Sequence, residues 1–343
     1  MSRALVVNAG STSLKLSVVD DAGDSLAVAS LAGAPRDVDV VAHRVVHGGR
    51  RFRAPVLLDK RVLDELDELT ELAPLHNGPA LRAIADARAA LPDLPHVAVF
   101  DTAFHATIPE LAFAYAVPEQ WREAWGIRRY GFHGLSVQWA AEQVRVERLV
   151  VCHLGGGCSV TAVRDGRSID TTMGFSPLEG VPMATRSGSI DAEAVLHLLR
   201  TGRRTLAEIE HDLEHESGLL GLSGASARVE ELESLATPAA RRALDVFAYR
   251  VALAVGASAA ALLGLDALVF TGGVGEGSAR VRADVCARLT HLGVELDPAT
   301  NGRGAADAAV DVQAPRSRVR VAVVRAREDV VAARAALAVL AAR

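Results

Sequence analysis

The sequence predicts an α/β protein built from two related domains, and three observations carry that reading. Apolar, β-branched runs of strand length alternate with stretches of helical periodicity along the whole chain. A length of 343 residues corresponds to about two domains. A faint internal repeat then aligns Val7–Gly23 without gaps on Cys152–Ser168, an offset of 145 residues, setting Gly10 on Gly155 and Asp20 on Asp165. A repeat near mid-chain suits a duplicated domain, and two facing halves would leave a cleft lined by two glycine-rich hairpins.

In chain order, strands are expected at 4–8, 14–19, 39–46, 96–100, 148–153, 158–164, 267–271 and 318–324. Helices are expected at 59–72, 77–90, 134–144, 191–200, 205–215, 238–263, 277–290 and 328–341. The helix over 238–263 is the best punctuated: Thr237 can cap it, Pro238 suits its first turn, and Gly264 ends it. Ala243, Phe247, Val251 and Val255 recur every four residues on one face, as a buried helix requires. The first domain is expected over 1–147, with the last helix (328–343) returning to pack on it. The second is expected over 148–327.

Composition narrows the function. Hydrophobic residues make up 50% of the chain and charged ones 23%, so large cores can form. The net charge of −5, without a basic run, argues against nucleic acid as a partner. Cys152, Cys158 and Cys286 cannot all pair and lack metal-ligand spacing, which fits a reducing cytoplasm. The apolar stretch from Val251 to Leu265 is too short and Ala-rich to span a bilayer and reads as core.

The first candidate site is Asn8-Ala9-Gly10-Ser11-Thr12-Ser13-Leu14-Lys15, a glycine- and hydroxyl-rich turn between two strands. It could offer backbone N–H groups, the Ser11 and Ser13 hydroxyls and one ammonium to a polyanion. Lys15 and Lys60 are the only lysines among 37 basic residues, so a lysine here reads as a chosen point charge for phosphate. An ordinary edge hairpin is the alternative. Six further clusters sit at or just after strand ends, where open α/β sheets place their sites. They include His43–Gly49, Pro74–Asn77, Phe100–His105, Arg129–Gly134, His153–Gly157 and Ala184–Gly188. A last one, Phe270–Glu276, runs from a strand through glycines towards a helix.

Together the motifs NAGSTSLK, HRVVHGG, FDTAFH, RYGFHG, CHLGGG, MGFSPLEG and TRSGSID resemble those of the acetate kinase family, within the superfamily of acetate and sugar kinases and actin. They occur in the family order from Arg3 to about Arg334. The resemblance implies duplicated actin-like (ribonuclease H-like) domains. It also implies reversible, Mg²⁺- or Mn²⁺-dependent transfer of the terminal phosphoryl of ATP to acetate or propionate, in a cytoplasmic homodimer whose interface lies on the second domain. A carboxylate acceptor is already ionised at pH 7, so the site should be rich in cations and needs no general base. By resemblance, Arg44 and Arg186 hold the carboxylate and the transferring phosphoryl group, and His133 stabilises the transition state. His76 and His153 lie on phosphate. Asp101 and Glu328 position Mg²⁺ with Asn8 as a polar partner, although Glu328 could merely favour a helix N-terminus. Val46, Leu75, Phe132 and Pro177 wall a small acyl pocket, or are plain core. Ser11, Ser13, Lys15, Gly155, Gly157, Gly273, Val274 and Gly275 take the nucleotide and its phosphates. His43, His47 and His105 read as structural.

Several positions depart from the family pattern. Leu135-Ser136-Val137 stands where a Thr-Ser-His is usual, and Gly156 replaces an asparagine. After Ser223-Gly224-Ala225-Ser226, the Asp-Phe-Arg that helps enclose adenosine is here Arg228-Val229-Glu230, and Gly277 stands for an asparagine. Three readings remain open: ATP held by backbone and apolar contacts, pyrophosphate or another donor, or an impaired nucleotide-binding sensor. The fold also serves filaments, chaperone ATPases and regulators, which would not need Arg44 and Arg186. A sugar kinase would want Asp101 as its base.

Overall fold

The computed structural model describes residues 2–9, 14–72, 74–306 and 308–342, with 71–72 and 74–76 in backbone only. Its contacts divide the chain into two compact units. The first comprises Met1–Thr107, Tyr130–Trp139 and Arg327–Arg343, and the second Ile108–Arg129 and Ala140–Ala326.

Each unit is organised on a six-stranded sheet. The first holds β1 (Arg3–Ala9), β2 (Leu14–Asp20), β3 (Ser25–Val28), β4 (Val40–Val45), β5 (Val56–Leu57) and β6 (His96–Phe100), ordered β3-β2-β1-β4-β6-β5. The second holds β7 (Arg148–Leu154), β8 (Cys158–Arg164), β9 (Arg167–Thr171), β10 (Ala267–Thr271), β11 (Val310–Asp311) and β12 (Arg320–Val323). Its order, β9-β8-β7-β10-β12-β11, is that of the first sheet. Antiparallel β1/β2 and β2/β3 correspond to β7/β8 and β8/β9. Parallel β1/β4 and β4/β6 correspond to β7/β10 and β10/β12. The duplication expected from the sequence is therefore real, with one correction. Arg3 pairs with Asp20, whereas Arg148 pairs with Arg164. The second hairpin has a turn one residue shorter, so Asp20 corresponds to Arg164 and not to Asp165.

The interior strands β6 and β10, each flanked on both sides, are buried at every residue, the pattern of a sheet covered on both faces. On the first sheet, the helices Pro74–Ala90 and Glu328–Ala341 both pack against β1 and β4. On the second, the helix Pro238–Leu262 lies on β7 and β8, burying Ala243, Phe247, Val251 and Val255 as expected. It is long and apolar enough to cross a membrane by length and composition, but this packing uses it as a core helix. The Thr237 side chain accepts from the Ala240 N–H at 3.1 Å. Leu263, and not Gly264, takes the left-handed C-terminal position, at φ 58°.

Three of the expected helices differ in the structure. The helix expected over 59–72 turns 3-10 after Glu68, and the one expected from residue 77 begins at Pro74. The helix expected over 277–290 is interrupted at Ser278, whose side chain caps a new start by accepting from Val281 N–H at 3.0 Å. Strands β3, β5, β9 and β11 have no counterpart among the expected elements; all four are short edge strands with little apolar alternation.

Candidate active site

In the first unit, three parallel strands each deliver one polar residue at their C-terminal ends. Asn8 on β1 is the register partner of Arg44 on β4. Asp101 directly follows β6, its N–H donating to the Val45 carbonyl at 3.1 Å. Arg44 donates through Nε to Asp101 Oδ1 at 2.9 Å and through Nη2 to Oδ2 at 2.6 Å. Its Nη1 donates to Asn8 Oδ1 at 3.1 Å and meets Glu328 Oε2 at 2.9 Å. Glu328 opens the last helix, and Asn8 Nδ2 lies 3.5 Å from the same Oε2. Three residues, Asn8, Asp101 and Glu328, separated by up to 320 positions, thus converge on one guanidinium. The Asp101 side chain is 1% exposed, and those of Arg44 and Glu328 16% each. Burial alone would pull the Arg44 pKa down. The Asp101 and Glu328 carboxylates overcome that and hold it above the ordinary value.

His133 lies in the same unit, just before the helix Gly134–Gln143. Its φ of 59° is left-handed, a conformation that costs a non-glycine residue about 1 kcal/mol or more. Gly134 is required where it stands, because a Cβ there would overlap the Asp101 carbonyl oxygen. Its N–H donates to that carbonyl at 3.1 Å. Phe132 is buried at 1% exposure, and its ring meets His47 edge-on at 5.4 Å between centroids. Val46 is also buried. The three histidines read as structural are core residues: His43 bonds His96 at 2.9 Å, His47 Nδ1 accepts from Gly49 N–H at 2.9 Å, and His105 Nε2 reaches the Phe132 carbonyl at 2.9 Å. Burial lowers the pKa of His43 to about 3, helped by His96 and Arg88, and that of His105 to about 4.

The second unit gathers the other candidates around the β7/β8 turn. His153, next to last in β7, lies beside Thr271 of β10, the positions that Asn8 and Arg44 hold in the first sheet. Gly155 N–H donates to the Gly157 carbonyl at 3.0 Å, closing the turn. A Cβ on Gly155 would lie 3.8 Å from the Gly273 nitrogen, so the two glycine segments are neighbours. Ala184 N–H donates to the Gly156 carbonyl at 3.3 Å, which docks the Arg186 loop on this turn. Arg186 pairs with Glu214 through Nε at 3.1 Å and donates through Nη1 to the Pro177 carbonyl at 3.2 Å. Burial pushes the Cys158 thiol up to about 12, against an opposing pull from the Gly155 hydrogen bond and the nearby Arg186 charge.

The segment Gly272–Gly277 is braced from behind. Glu276 Oε1 accepts from Gly272 N–H at 3.0 Å and from Ala326 N–H at 2.9 Å. The buried Arg282 donates to the carbonyls of Gly275 and Glu276 at 2.9 Å each and to Asn301 Oδ1 at 2.8 Å. A side chain at Gly277 would meet nothing within 4 Å, so no crowding accounts for the glycine. Arg228, in the altered stretch, is exposed and paired with Glu230 at 2.8 Å and Glu231 at 3.4 Å.

Of the remaining candidates, Lys15 is exposed opposite Asn8 in the first hairpin. Gly10, Ser11 and Ser13 lie outside the described residues, and Leu75 and His76 are described in backbone only. Sequence reasoning passed over Glu214, Glu276, Arg282 and Asn301. The motif pattern marked the Glu276 position, but nothing local marks the other three as neighbours of the site.

Comparison with known proteins places the chain in a family. Residues 24–334 match the acetokinase family. The chain belongs to that family. Relatives of this acetokinase include the acetate kinase of Gloeobacter violaceus, 44% identical over 307 residues, covering 86% of this chain and 75% of the relative. The acetate kinase of Heliobacterium modesticaldum is 45% identical over 311 residues, 87% of this chain and 77% of its own. Among solved structures, a propionate kinase from Francisella tularensis superposes with a TM-score of 0.90 at 32% identity, covering 98% of this chain and 100% of its own. Porphyromonas gingivalis acetate kinase gives 0.87 at 30% identity, over 99% and 100%. The acetokinase fold, duplicated and actin-like, accordingly extends over nearly the whole chain.

Proposed function

We propose that this acetokinase transfers the terminal phosphoryl group of ATP to acetate, reversibly, giving acetyl phosphate and ADP. The observation that carries the residue assignment is the Arg44 cluster. A guanidinium fixed by Asp101, Asn8 and Glu328 at 2.6 to 3.1 Å is oriented before any substrate arrives, and preorganised charge is what phosphoryl transfer between two anions needs. The acceptor is already a carboxylate, so no proton has to be removed. Asp101 suits that chemistry better than it suits a sugar kinase. Both of its oxygens accept from Arg44, so its carboxylate is committed to orienting a guanidinium and not to taking a proton from a hydroxyl.

In this reading Arg44 takes the acyl and phosphoryl oxygens, and Arg186, steadied by Glu214 and the Pro177 carbonyl, supplies the second forked cation. His133 stabilises the equatorial oxygens in the transition state. The family resemblance assigns the acyl group to Val46, Leu75, Phe132 and Pro177, a small apolar set that suits two or three carbons. Discrimination between acetate and propionate then rests on one methylene, worth about 1–3 kcal/mol. Ser11, Ser13 and Lys15 with His153, Gly155 and Gly157 take the phosphates, and Gly273, Val274 and Gly275 the nucleoside. Mg²⁺ would be held by Asp101 and Glu328, directly or through water, with Asn8 as a polar partner: their oxygens already meet Arg44, so the protein offers the ion few direct bonds, and an all-oxygen set suits a hard cation that also uses substrate phosphates and water. Among the described residues no three His, Cys, Asp or Glu side chains form a metal cluster. Bound there, the ion would neutralise charge on the phosphoryl oxygens. A cytoplasmic homodimer, joined through the second unit, completes the proposal.

Trapping of acyl phosphate with hydroxylamine tests the reading. With ATP and Mg²⁺, acetate and propionate should each give hydroxamate and butyrate far less. Hydroxamate formed from pyrophosphate and not from ATP would replace the donor, and none from either would reject the assignment.

A further inference from the structure

His133 is held in a left-handed conformation that its own side chain does not favour, so its neighbours must impose it. Two contacts do so, and both come from one short stretch. The Gly134 N–H donates to the Asp101 carbonyl at 3.1 Å, immediately after His133. The Phe132 carbonyl, immediately before it, receives His105 Nε2 at 2.9 Å. A carbonyl oxygen only accepts, so Nε2 must carry the proton. Residues 100–105 are closed on themselves by two successive tight turns, with Ala103 N–H donating to Phe100 O and His105 N–H to Thr102 O at 3.1 and 3.2 Å. The same stretch therefore presents the Asp101 carboxylate to Arg44 and grips both peptide groups that flank His133.

We propose that His105 is a positioning residue for His133, donating from Nε2 to the Phe132 carbonyl so that the His133 ring is fixed relative to Arg44. The inference rests on the reading of His133 as a transition-state stabiliser. It assigns a part in turnover to a histidine that touches no substrate. His105 is 1% exposed, and burial lowers its pKa to about 4, so it stays neutral and keeps one tautomer at working pH. Loss of the donor would free the Phe132 peptide and let the His133 ring drift. Misplacement by about 1 Å can cost on the order of 100-fold in rate.

The test compares His105→Gln with His105→Met, side chains of nearly equal volume. The glutamine amide reaches about as far as Nε2 and can donate; the thioether cannot. At a temperature well below both melting points, the expected result is a 10- to 100-fold fall in kcat for Met, with KM for acetate and ATP within about threefold. The Gln variant should stay within about threefold of the parent. His133→Ala, measured alongside, separates the two claims. If it leaves turnover unchanged, the reading of His133 fails; if it collapses turnover while a folded Met variant keeps normal kcat, the positioning role fails. A readout independent of variants is the long-range ¹⁵N–¹H spectrum of the histidine rings in the intact protein. A proton on Nε2 of His105 supports the proposal, and a proton on Nδ1 alone overturns it.

Discussion

Replacing Arg44 by lysine keeps the charge and removes the fork, which makes it the sharpest test of why an arginine stands there. The guanidinium makes two contacts with Asp101, at 2.9 and 2.6 Å, one with Asn8 at 3.1 Å and one with Glu328 at 2.9 Å. A single ammonium cannot meet both Asp101 oxygens in plane and still span to Asn8 and Glu328. At least two of the four contacts are lost, each a charge-assisted bond worth about 1.5–3 kcal/mol. If about half of that loss is felt only in the transition state, kcat falls on the order of 10- to 100-fold. Arg44→Ala, which also removes the charge, should fall on the order of 1,000-fold or more. Circular dichroism and thermal melts at pH 7.5 establish that each variant is folded, and a coupled assay for ADP gives kcat and KM. An Arg44→Lys enzyme within threefold of the parent would refute the argument, because it would mean that any positive charge at this point suffices.

Other consequences follow from burial and pairing. His43 and His105 have folded pKa values of about 3 and 4, below the usual 6.5. The unfolded chain therefore binds more protons in that window, so stability is full above about pH 6.5 and falls as pH drops. Each histidine should cost about 1.4 kcal/mol per pH unit below 6.5, and His105→Gln should flatten the slope of stability against pH by that amount. The three thiols, all buried and with Cys158 pushed up to about 12, should resist a thiol reagent in the native protein and react together in denaturant; fast native labelling of any one would contradict their placement. Glu214→Gln should lower kcat about 10-fold by loosening Arg186, with melting temperature nearly unchanged, since Glu214 steadies Arg186 at 3.1 Å. Unaltered kcat would remove Glu214 from the account. Chelation of Mg²⁺ should abolish turnover, and Glu328→Gln should raise the Mg²⁺ needed to restore it.

Much of this molecule is legible in the chain because its strands are uninterrupted apolar runs and its glycine turns interrupt them. The buried faces of β1, β4, β6 and β10 leave little choice of register, and the polar residues at or just after the C-terminal ends of three of them, Asn8, Arg44 and Asp101, stand out in the chain and meet in the structure. The one-residue slip in the repeat was not legible, since a turn of three glycines aligns equally well with one of four residues. Edge strands such as β3 and β11 carry too few apolar positions to show a period of two. The unanticipated partners share one cause. Glu214 lies in an ordinary amphipathic helix, and the contacts of Arg282 and Asn301 depend on how a later helix packs behind Gly272–Gly277. Nothing in the local sequence distinguishes such a residue from a solvated one. His105 was legible as a core residue, but its grip on the peptide before His133 appears only once the two loops are in place.

The central claim is that phosphorus moves from ATP to an intact carboxylate, and isotope placement tests it most directly. With [¹⁸O₂]acetate, ATP and Mg²⁺, phosphorus NMR should show acetyl phosphate whose phosphorus carries the ¹⁸O-shifted signal, with ADP as the other product. Acetyl phosphate lacking ¹⁸O on phosphorus, AMP in place of ADP, or no acyl phosphate at all would contradict the account.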